Sequence, residues 1–281
     1  SGDRKRAGEQ MTAAGRTVSF GQRVARFRLA NASWIRAACY VSSILLLFGA
    51  WQALGHSFGV LFAPFTTTVS DLWSMLDGGP LPSALVVSGE LYGTALGISI
   101  VLGIAGGLVL ARMKLVAAAF EPYIFILYAT PTIALVPFVS VMFGFGFLPK
   151  VLVAVLISIF PILIGVMEGV RSIPRQHLDV AAIFGSSEAQ LWRDVILPYI
   201  TPHAMSGIKQ SIALAMAGTL VAEFFLNPDG VAAVLLQGTT TLDSASVLAV
   251  TLFVAMLAVL LVGVGELIER RLVRWRQASV G

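Results

Sequence analysis

The sequence predicts an all-α, polytopic membrane protein with six transmembrane helices and both termini on the cytoplasmic side. Composition is the first reason: the 281 residues are 57% apolar and 12% charged, whereas soluble domains are about 25% charged. The second is that six apolar runs reach the roughly 20 residues that a helix needs to cross the hydrocarbon core of a bilayer. The third is that Lys and Arg gather in alternate connections between these runs, as the positive-inside rule requires.

The six apolar runs set the predicted spans. They cover approximately residues 35–54, 92–111, 123–143, 148–169, 205–225 and 247–267. The third run contains Pro131 and Pro137 and begins after Pro122. Because proline lacks the N–H that an α-helix uses, we expect the third span to be kinked.

Basic residues predict the orientation. Eighteen of the 19 Lys and Arg residues precede or open the first span, follow the sixth, or lie in the connections after spans two and four or at the start of span five. Only Lys150 lies on the opposite side. Residues 1–33 are therefore predicted to be a cytoplasmic basic tail. Two interpretations of this tail stay open: an amphipathic helix on anionic lipid, or a tail that only sets the orientation. The residues before Met11 have no predicted role in the fold.

Two further patterns predict packing and local structure. Gly103 and Gly107 in the second span have the GxxxG spacing that lets two membrane helices approach closely. Residues 55–89, on the outer side, contain several aromatic and leucine residues. We expect part of this segment to form a helix along the outer surface.

The sequence excludes several classes of function. It contains no GxxxxGK[ST] loop for nucleotide phosphates, so the chain is not predicted to hydrolyse ATP. Cys39 is the one cysteine, and His56, His177 and His203 are dispersed, which gives no metal-ligand spacing. No catalytic site and no metal site are therefore predicted on this chain.

The connection between spans four and five, about 35 residues long, has internal order. Pro174 precedes a predicted short helix at residues 176–184, and Gly185 suits the left-handed position after a helix end. Ser186 or Ser187 can cap a second predicted helix, at residues 188–196. We expect that helix to close at Leu197-Pro198.

In this connection, the run from Asp179 to Gly185 is followed by nine residues and then by Val195-Ile196-Leu197-Pro198. This spacing resembles the EAA loop of ABC importer permeases. The family pattern is Glu-Ala-Ala, three residues, Gly, nine residues and Ile-x-Leu-Pro. Here Asp179 replaces the Glu and Val180 the first Ala. Over residues 88–276 the chain is similar to the nitrate/sulfonate/taurine group of these permeases.

The resemblance implies a type I ABC importer permease fold in the bacterial cytoplasmic (inner) membrane. Residues 88–276 would be the core permease domain, with the coupling loop at about 171–203. Residues 34–87 would be the first transmembrane helix and a periplasmic segment, and 277–281 a C-terminal tail. The implied solute is a small organic or inorganic anion or a related small molecule.

The resemblance also implies partners. They are a cytoplasmic ABC ATPase dimer, a second permease subunit that is identical or homologous, a periplasmic or lipid-anchored solute-binding protein, and membrane lipid. ATP and Mg would belong to the ATPase, so no cofactor is expected on this chain. No nucleic-acid partner is expected.

Two sets of site residues follow from the resemblance and the residue types. The ATPase-coupling set is Asp179, Ala181, Ala182, Gly185, Leu197 and Pro198; the last two are expected to set the angle to the fifth span. The candidates for the translocation path are Tyr128, Thr130, Thr132, Gln210, Ser211 and Glu223. For the threonines, bonding back to their own helix is an equal alternative. For Glu223 the alternative is a structural role, either a bond to a neighbouring helix or shaping of the outer gate.

Two other functions compete with the importer permease. A self-sufficient channel or ion-coupled carrier would need related halves with paired polar breaks, and the sequence shows no convincing internal repeat. A membrane-embedded enzyme would need an acid, base or metal cluster within the spans.

Overall fold

The computed structural model describes residues 34–35 and 37–273. This part of the chain consists of helices and their connections, without β-strands. Five helices are long and apolar enough to span a membrane. They are α1 (Ala37–Leu61), α3 (Leu81–Arg112), α6 (Phe147–Arg171), α9 (Leu197–Leu226) and α11 (Ser244–Leu272). The tail predicted at residues 1–33, with its possible amphipathic helix, lies outside the described residues.

A bent helix pair is the sixth candidate span, and its break confirms the predicted kink. Helix α4 (Lys114–Ala129) and helix α5 (Val136–Phe143) are bent by 96° relative to each other. Thr130 and Pro131 are extended at the break, and a 3₁₀ turn at Thr132–Leu135 leads into α5. The residue before a proline is driven out of the α region, so Pro131 explains why α4 ends where it does.

Four shorter helices complete the described fold. They are α2 (Phe65–Leu76), α7 (Arg175–Ile183), α8 (Glu188–Gln190) and α10 (Gly230–Thr240). Helix α2 confirms that the outer segment contains a helix. Helix α3 begins at Leu81, well before the predicted residue 92. Backbone hydrogen bonds need no apolar side chains, so this helix extends beyond its apolar run.

The chain divides into two compact units, one ending at Thr66 and the other beginning at Thr67. In the first unit, the Trp51 indole N–H donates to the Ala63 carbonyl at 3.1 Å. The rings of Phe48 and Phe65 lie 4.6 Å apart. These contacts hold the turn that follows α1.

In the second unit, α6 lies between α3 and α9 and is the most buried span. Glycines set the spacing of these three helices. A Cβ added at Gly107 would lie 2.7 Å from Val166 Cβ, and one added at Gly207 would lie 2.5 Å from the Pro161 carbonyl oxygen. Both distances are too short for real side chains, so the helices approach closely only because these positions are glycine. The predicted close approach at Gly103 and Gly107 is confirmed.

Helix α11 begins at a carboxylate cap. Asp243 accepts hydrogen bonds from the backbone N–H groups of Ala245 and Ser246 at 3.2 Å, and from the Ser246 hydroxyl. The hydroxyl bond, aided by the two N–H groups, holds the pKa of Asp243 below its ordinary value. The same hydroxyl lies 2.9 Å from Asp71 in α2, so this cap also ties α2 to α11.

Candidate functional site

The predicted coupling loop begins with α7 and a glycine turn. Pro174 is extended and precedes α7, as predicted. Gly185 follows the helix with φ +64°, which confirms the left-handed turn. The N–H of Gly185 donates to the Ala182 carbonyl, and the N–H of Ser186 donates to the Ala181 carbonyl, both at 3.0 Å. These bonds satisfy carbonyl groups that a helix end leaves free.

The next helix starts at a capping box. The Ser187 hydroxyl accepts from the Gln190 N–H at 3.3 Å, and the Gln190 side chain accepts from the Ser187 N–H at 2.8 Å. This reciprocal pair satisfies two donors at the helix start. The prediction that Ser186 or Ser187 caps this helix is thus confirmed, with Ser187 as the cap.

The prediction that this second helix closes at Leu197-Pro198 is wrong. Helix α8 runs through a π-helical turn at Leu191–Ile196 directly into α9, so that one continuous helix extends over Glu188–Leu226. Pro198 lies in the first turn of α9. The carbonyl groups of the residues before Pro198 still accept helical hydrogen bonds. Proline cannot donate such a bond because it lacks an N–H, and the wider π turn accommodates it. The coupling loop is therefore joined rigidly to the fifth span.

The predicted coupling residues divide between two sides of the loop. Asp179, Ala182 and Gly185 are exposed, whereas Ala181 is buried against its own chain. Leu197 is exposed, at the start of α9. Ala181 thus supports α7 from beneath and does not belong to its outward face.

The loop also carries an exposed apolar surface that the sequence reasoning missed. Val180 is 52% exposed, and Ile183 and Phe184 are each 82% exposed. We call these three residues the apolar tip. The signal was present in the sequence, since an Ile-Phe pair directly before a glycine turn is unusual in a polar connection.

Charged contacts tie the coupling loop to the second span. The Arg112 guanidinium, at the end of α3, forms an ion pair with Glu188 and lies 5.8 Å from the centre of the Trp192 ring. Nearby, Arg171 bonds both carboxylate oxygens of Glu121 at 2.7 Å. Exposed ion pairs are worth only about 0–1 kcal/mol each, so these contacts orient the loop more than they stabilise it.

A cavity of about 580 Å³ separates α7 from the start of α9. Its walls include His177, Asp194, Pro198 and Tyr199. The rings of His177 and Tyr199 meet edge to face, with centroids 6.2 Å apart. Helix α7 therefore contacts the start of α9 through the His177 and Tyr199 rings, next to this cavity.

Two translocation-path candidates come together in the structure. The Gln210 side-chain amide donates to the Tyr128 hydroxyl at 3.5 Å, and both residues are exposed. The Tyr128 ring lies 6.1 Å from the Phe160 ring. Thr132 is half-buried in the 3₁₀ turn. Thr130 donates to the Ile126 carbonyl of its own helix at 2.7 Å, which is the alternative interpretation of that residue.

Ser211 lies in the helix interface and not beside Gln210 on the exposed face. Its buried hydroxyl donates to the Ser158 carbonyl at 2.5 Å. The Ser158 hydroxyl in turn lies 2.8 Å from the Ser99 hydroxyl. These three serines fasten α3, α6 and α9 to one another.

Glu223 is fully buried and anchors α10. Its carboxylate accepts from the Ser88 hydroxyl at 2.6 Å and from the Ala232 N–H at 3.2 Å. Ser88 also accepts from the Val231 N–H at 2.8 Å. The first turn of a helix favours a carboxylate, because its N–H groups lack intrahelical partners. The arrangement matches the alternative in which Glu223 bonds a neighbouring helix.

Lys150 gives α10 a second anchor. Its side chain is only 4% exposed, and its ammonium group lies 2.5 Å from the carboxylate of Asp229, the residue that precedes α10. The sequence predicts that Lys150 is the one basic residue on the outer side, but it does not indicate a partner for it. Desolvating an ammonium group is costly unless it is paired, which accounts for the position of Asp229.

We expect Glu223→Ala to destabilise the protein and Glu223→Gln to do so less. Alanine leaves the Ser88 hydroxyl and the Ala232 N–H without an acceptor, at a cost of about 1–3 kcal/mol for each buried group. Glutamine keeps one acceptor oxygen. Thermal unfolding in detergent measures both variants. Equal unfolding temperatures for Glu223→Ala and the unmodified chain would contradict the anchoring role.

Within the described residues, no three His, Cys, Asp or Glu side chains are grouped so that they could hold a metal ion. The polar groups described above bond one another or lie on exposed faces. The geometry thus consists of helix anchors and exposed polar groups.

Comparison with known proteins identifies the family. Residues 99–274 match the family model described as "Binding-protein-dependent transport system inner membrane component". The putative aliphatic sulfonates transport permease protein SsuC of Bacillus subtilis is 27% identical over 258 residues, which cover 88% of this chain and 90% of that protein. The formylaminopyrimidine transport permease protein ThiX of Halalkalibacterium halodurans is 27% identical, covering 83% and 94%.

A third relative matches over a shorter length. The riboflavin transport system permease protein RibX of Chloroflexus aurantiacus is 33% identical over 165 residues, covering 59% of this chain and 62% of that protein. The family match covers more than half of the chain and includes the broken span, the coupling loop and the anchors of α10. The chain therefore belongs to the family of binding-protein-dependent transport system inner membrane components, as a multi-pass permease of an ABC transport system with the type I importer fold.

Proposed function

We propose that this permease forms the solute path of an ATP-driven importer and couples to a separate cytoplasmic ATPase dimer through residues 171–203. The apolar tip is the observation that carries the proposal. Its three exposed apolar side chains lie directly before the glycine turn, and such patches mark surfaces that another protein covers. The glycine turn and the capping box that follow present the tip on an ordered support.

The contacts around the loop support transmission of movement into the membrane. The loop continues without a break into α9, and Arg112 connects it to α3 through Glu188 and Trp192. Packed cores deform little, so a displaced element moves its neighbours as a rigid body. A shift of the apolar tip would thus reach the second and fifth spans together.

The solute path itself is proposed to lie between this chain and a second permease subunit. Tyr128 and Gln210 are polar, adjacent and exposed, and they lie on two helices of the candidate spans. Polar side chains in membrane helices face a protein interior or a water-filled cavity. Thr132 lies at the break between α4 and α5, where irregular backbone is tolerated if it lines a cavity.

We further propose that the solute is a small organic or inorganic anion, or a related small molecule, delivered by a periplasmic or lipid-anchored binding protein. The name of SsuC, which refers to aliphatic sulfonates, supports this class. The carboxylate of Glu223 is buried and bonded, so it presents no exposed negative charge to repel an anion. Uptake of labelled sulfonates, pyrimidine precursors and flavins by cells that express the complete system would identify the class.

Replacing the apolar tip with polar residues is expected to abolish ATP-driven uptake. In the double variant Ile183→Ser, Phe184→Ser the chain should fold but no longer retain an ATPase subunit in mild detergent. The matched control is Phe145→Ser, which changes another exposed aromatic residue, between α5 and α6. Co-purification and ATP-dependent uptake in proteoliposomes are the measurements.

Two outcomes would overturn the coupling proposal. One is a double variant that retains the ATPase and transports at the rate of the Phe145→Ser control. The other is an unmodified chain that purifies alone and moves solute into liposomes without ATP, which would favour the channel or carrier.

A further inference from the structure

An ion pair joins the fifth and sixth spans toward the end that carries the coupling loop. The Lys209 ammonium group, in α9, lies 2.5 Å from the Glu269 carboxylate, near the end of α11. The two side chains are 26% and 25% exposed, so protein shields most of the pair from water. Ionisable residues in membrane helices commonly serve function. Neither residue belongs to the coupling set or to the translocation-path candidates.

Helix α11 is buried against the rest of the second unit at its two ends. Its buried residues are Ser246, Ala249 and Val250 near the start and Gly265 near the end. Along its middle, a second cavity of about 220 Å³ separates α11 from parts of α3, α9 and α10. The surface of this cavity is apolar, and apolar cavities stay dry. The middle of α11 therefore lacks some of the contacts that hold a packed helix in place.

The outer end of α11 has attachments to two other helices. The Ser246 hydroxyl bonds the Asp243 carboxylate and lies 2.9 Å from Asp71 in α2. A Cβ added at Gly238 in α10 would lie 2.9 Å from Val247 Cγ2, so α10 and α11 approach closely there. Polar bonds and close packing together fix this end of the helix.

The other end of α11 is held against α9. A Cβ added at Gly265 would lie 3.0 Å from Ile212 Cδ1 and 3.4 Å from Lys209 Cγ. The Lys209–Glu269 pair, about one turn further along α11, adds a polar bond between the same two helices. Helix α9 continues from the coupling loop without a break. Movement of the coupling loop therefore has a direct connection to α11 through this pair.

We propose that the Lys209–Glu269 pair makes the inner end of α11 follow α9 when the ATPase moves the coupling loop. This inference rests on the proposed function of residues 171–203. Because the outer end of α11 is fixed, the helix would tilt, and the cavity along its middle provides space for that movement. Lys209 and Glu269 are thus positioning residues for transport, which act through α11 and not through contact with the solute.

Two spin labels measure this connection directly. They are placed at Ser206 in α9 and Ile268 in α11, which are both exposed, after Cys39→Ser removes the native thiol. Pulsed EPR spectra of the complete transporter in nanodiscs are recorded without nucleotide and with ATP and vanadate. With the ion pair intact, we expect one distance between the labels in both states, because the two helices move together.

Breaking the pair should release α11 from α9. Lys209→Met removes the ammonium group and keeps a long side chain. With ATP and vanadate, a second distance between the labels should appear, its population increased about tenfold over the intact pair. Uptake of those sulfonates, pyrimidine precursors or flavins that the unmodified transporter imports should fall, while ATP hydrolysis continues. The reversed pair Lys209→Glu, Glu269→Lys should restore the single distance and the uptake.

Glu266→Gln is the matched control, since it removes an exposed carboxylate from the same end of α11 and leaves the pair intact. If Lys209→Met gave the same distances and uptake as Glu266→Gln, this inference would be wrong and the proposed function would stand. A lower unfolding temperature without an ATP-dependent second distance would also overturn it, because the pair would then be structural only. An unmodified chain that retains no ATPase would overturn the proposed function, and this inference with it.

Discussion

Replacing Gly185 by valine is expected to abolish ATP-driven uptake while leaving the membrane helices folded. Gly185 has φ +64°, a conformation in which a β-branched residue is strained by about 1–3 kcal/mol. This strain raises the free energy of the native turn. A different turn conformation would then be the more populated one, because each 1.4 kcal/mol changes a population ratio about tenfold. The apolar tip, which immediately precedes this turn, would be displaced from its support.

The controls for this prediction separate backbone strain from added volume. A Cβ at Gly185 meets no atom within 4 Å, and the same holds for Gly146, whose φ is −152°. Gly146→Val therefore adds the same side chain without the strain and should transport normally. Gly185→Asn should retain most activity, since asparagine adopts the left-handed region more readily. Uptake in proteoliposomes and retention of the ATPase are the two measurements. A Gly185→Val permease that transports at the rate of Gly146→Val would refute the role of the turn.

The second large effect is expected from Gly207→Ala, which should destabilise the membrane core by roughly 1–3 kcal/mol. The added Cβ would lie 2.5 Å from the Pro161 carbonyl oxygen and 2.8 Å from Ile162 Cα. Both are backbone atoms of α6, so no side-chain rotation relieves the clash. Alanine gains at most about 1 kcal/mol over glycine in helix propensity, which is too little to offset overpacking of this size.

A glycine in open surroundings gives the matched control for this variant. A Cβ at Gly97 in α3 meets no atom within 4 Å, so Gly97→Ala should be neutral or slightly stabilising. Two quantities are measured in detergent: the temperature of thermal unfolding, and the fraction of the protein that elutes as a monodisperse peak. Unfolding of both variants at the same temperature would show that the close approach of α6 and α9 does not depend on Gly207.

The fold class and much of the coupling loop follow from local properties of the chain. Apolar runs of span length, Pro131 and the Gly185 turn act through backbone chemistry over a few residues. The spans, the kink and the turn were therefore predictable. The helix boundaries were less predictable, because α3 and α9 continue beyond the apolar windows that define a span. The π turn before α9 was not predictable, since nothing in the six residues themselves requires it.

In the candidate site, most of the important contacts depend on tertiary packing and not on local sequence. Pairings such as Ser88 with Glu223, Lys150 with Asp229 and Tyr128 with Gln210 join residues far apart in the sequence. A single sequence indicates which side chains are polar, but not which helix faces another. It therefore predicts the same role for Ser211 and Gln210, although one lies in the helix interface and the other on an exposed face.

By itself, the sequence determined that this protein is a helical membrane permease with an EAA-like connection, because length, hydropathy and motif spacing are properties of the chain alone. Only the tertiary structure decided that Glu223 is a helix anchor, that Ala181 faces inward, and that the buried Thr219 hydroxyl has no hydrogen bond. The physical reason is that burial and hydrogen bonding depend on how helices rotate and approach. Small residues such as Gly207 allow that approach, but the register of each pair results from the packing of the whole core.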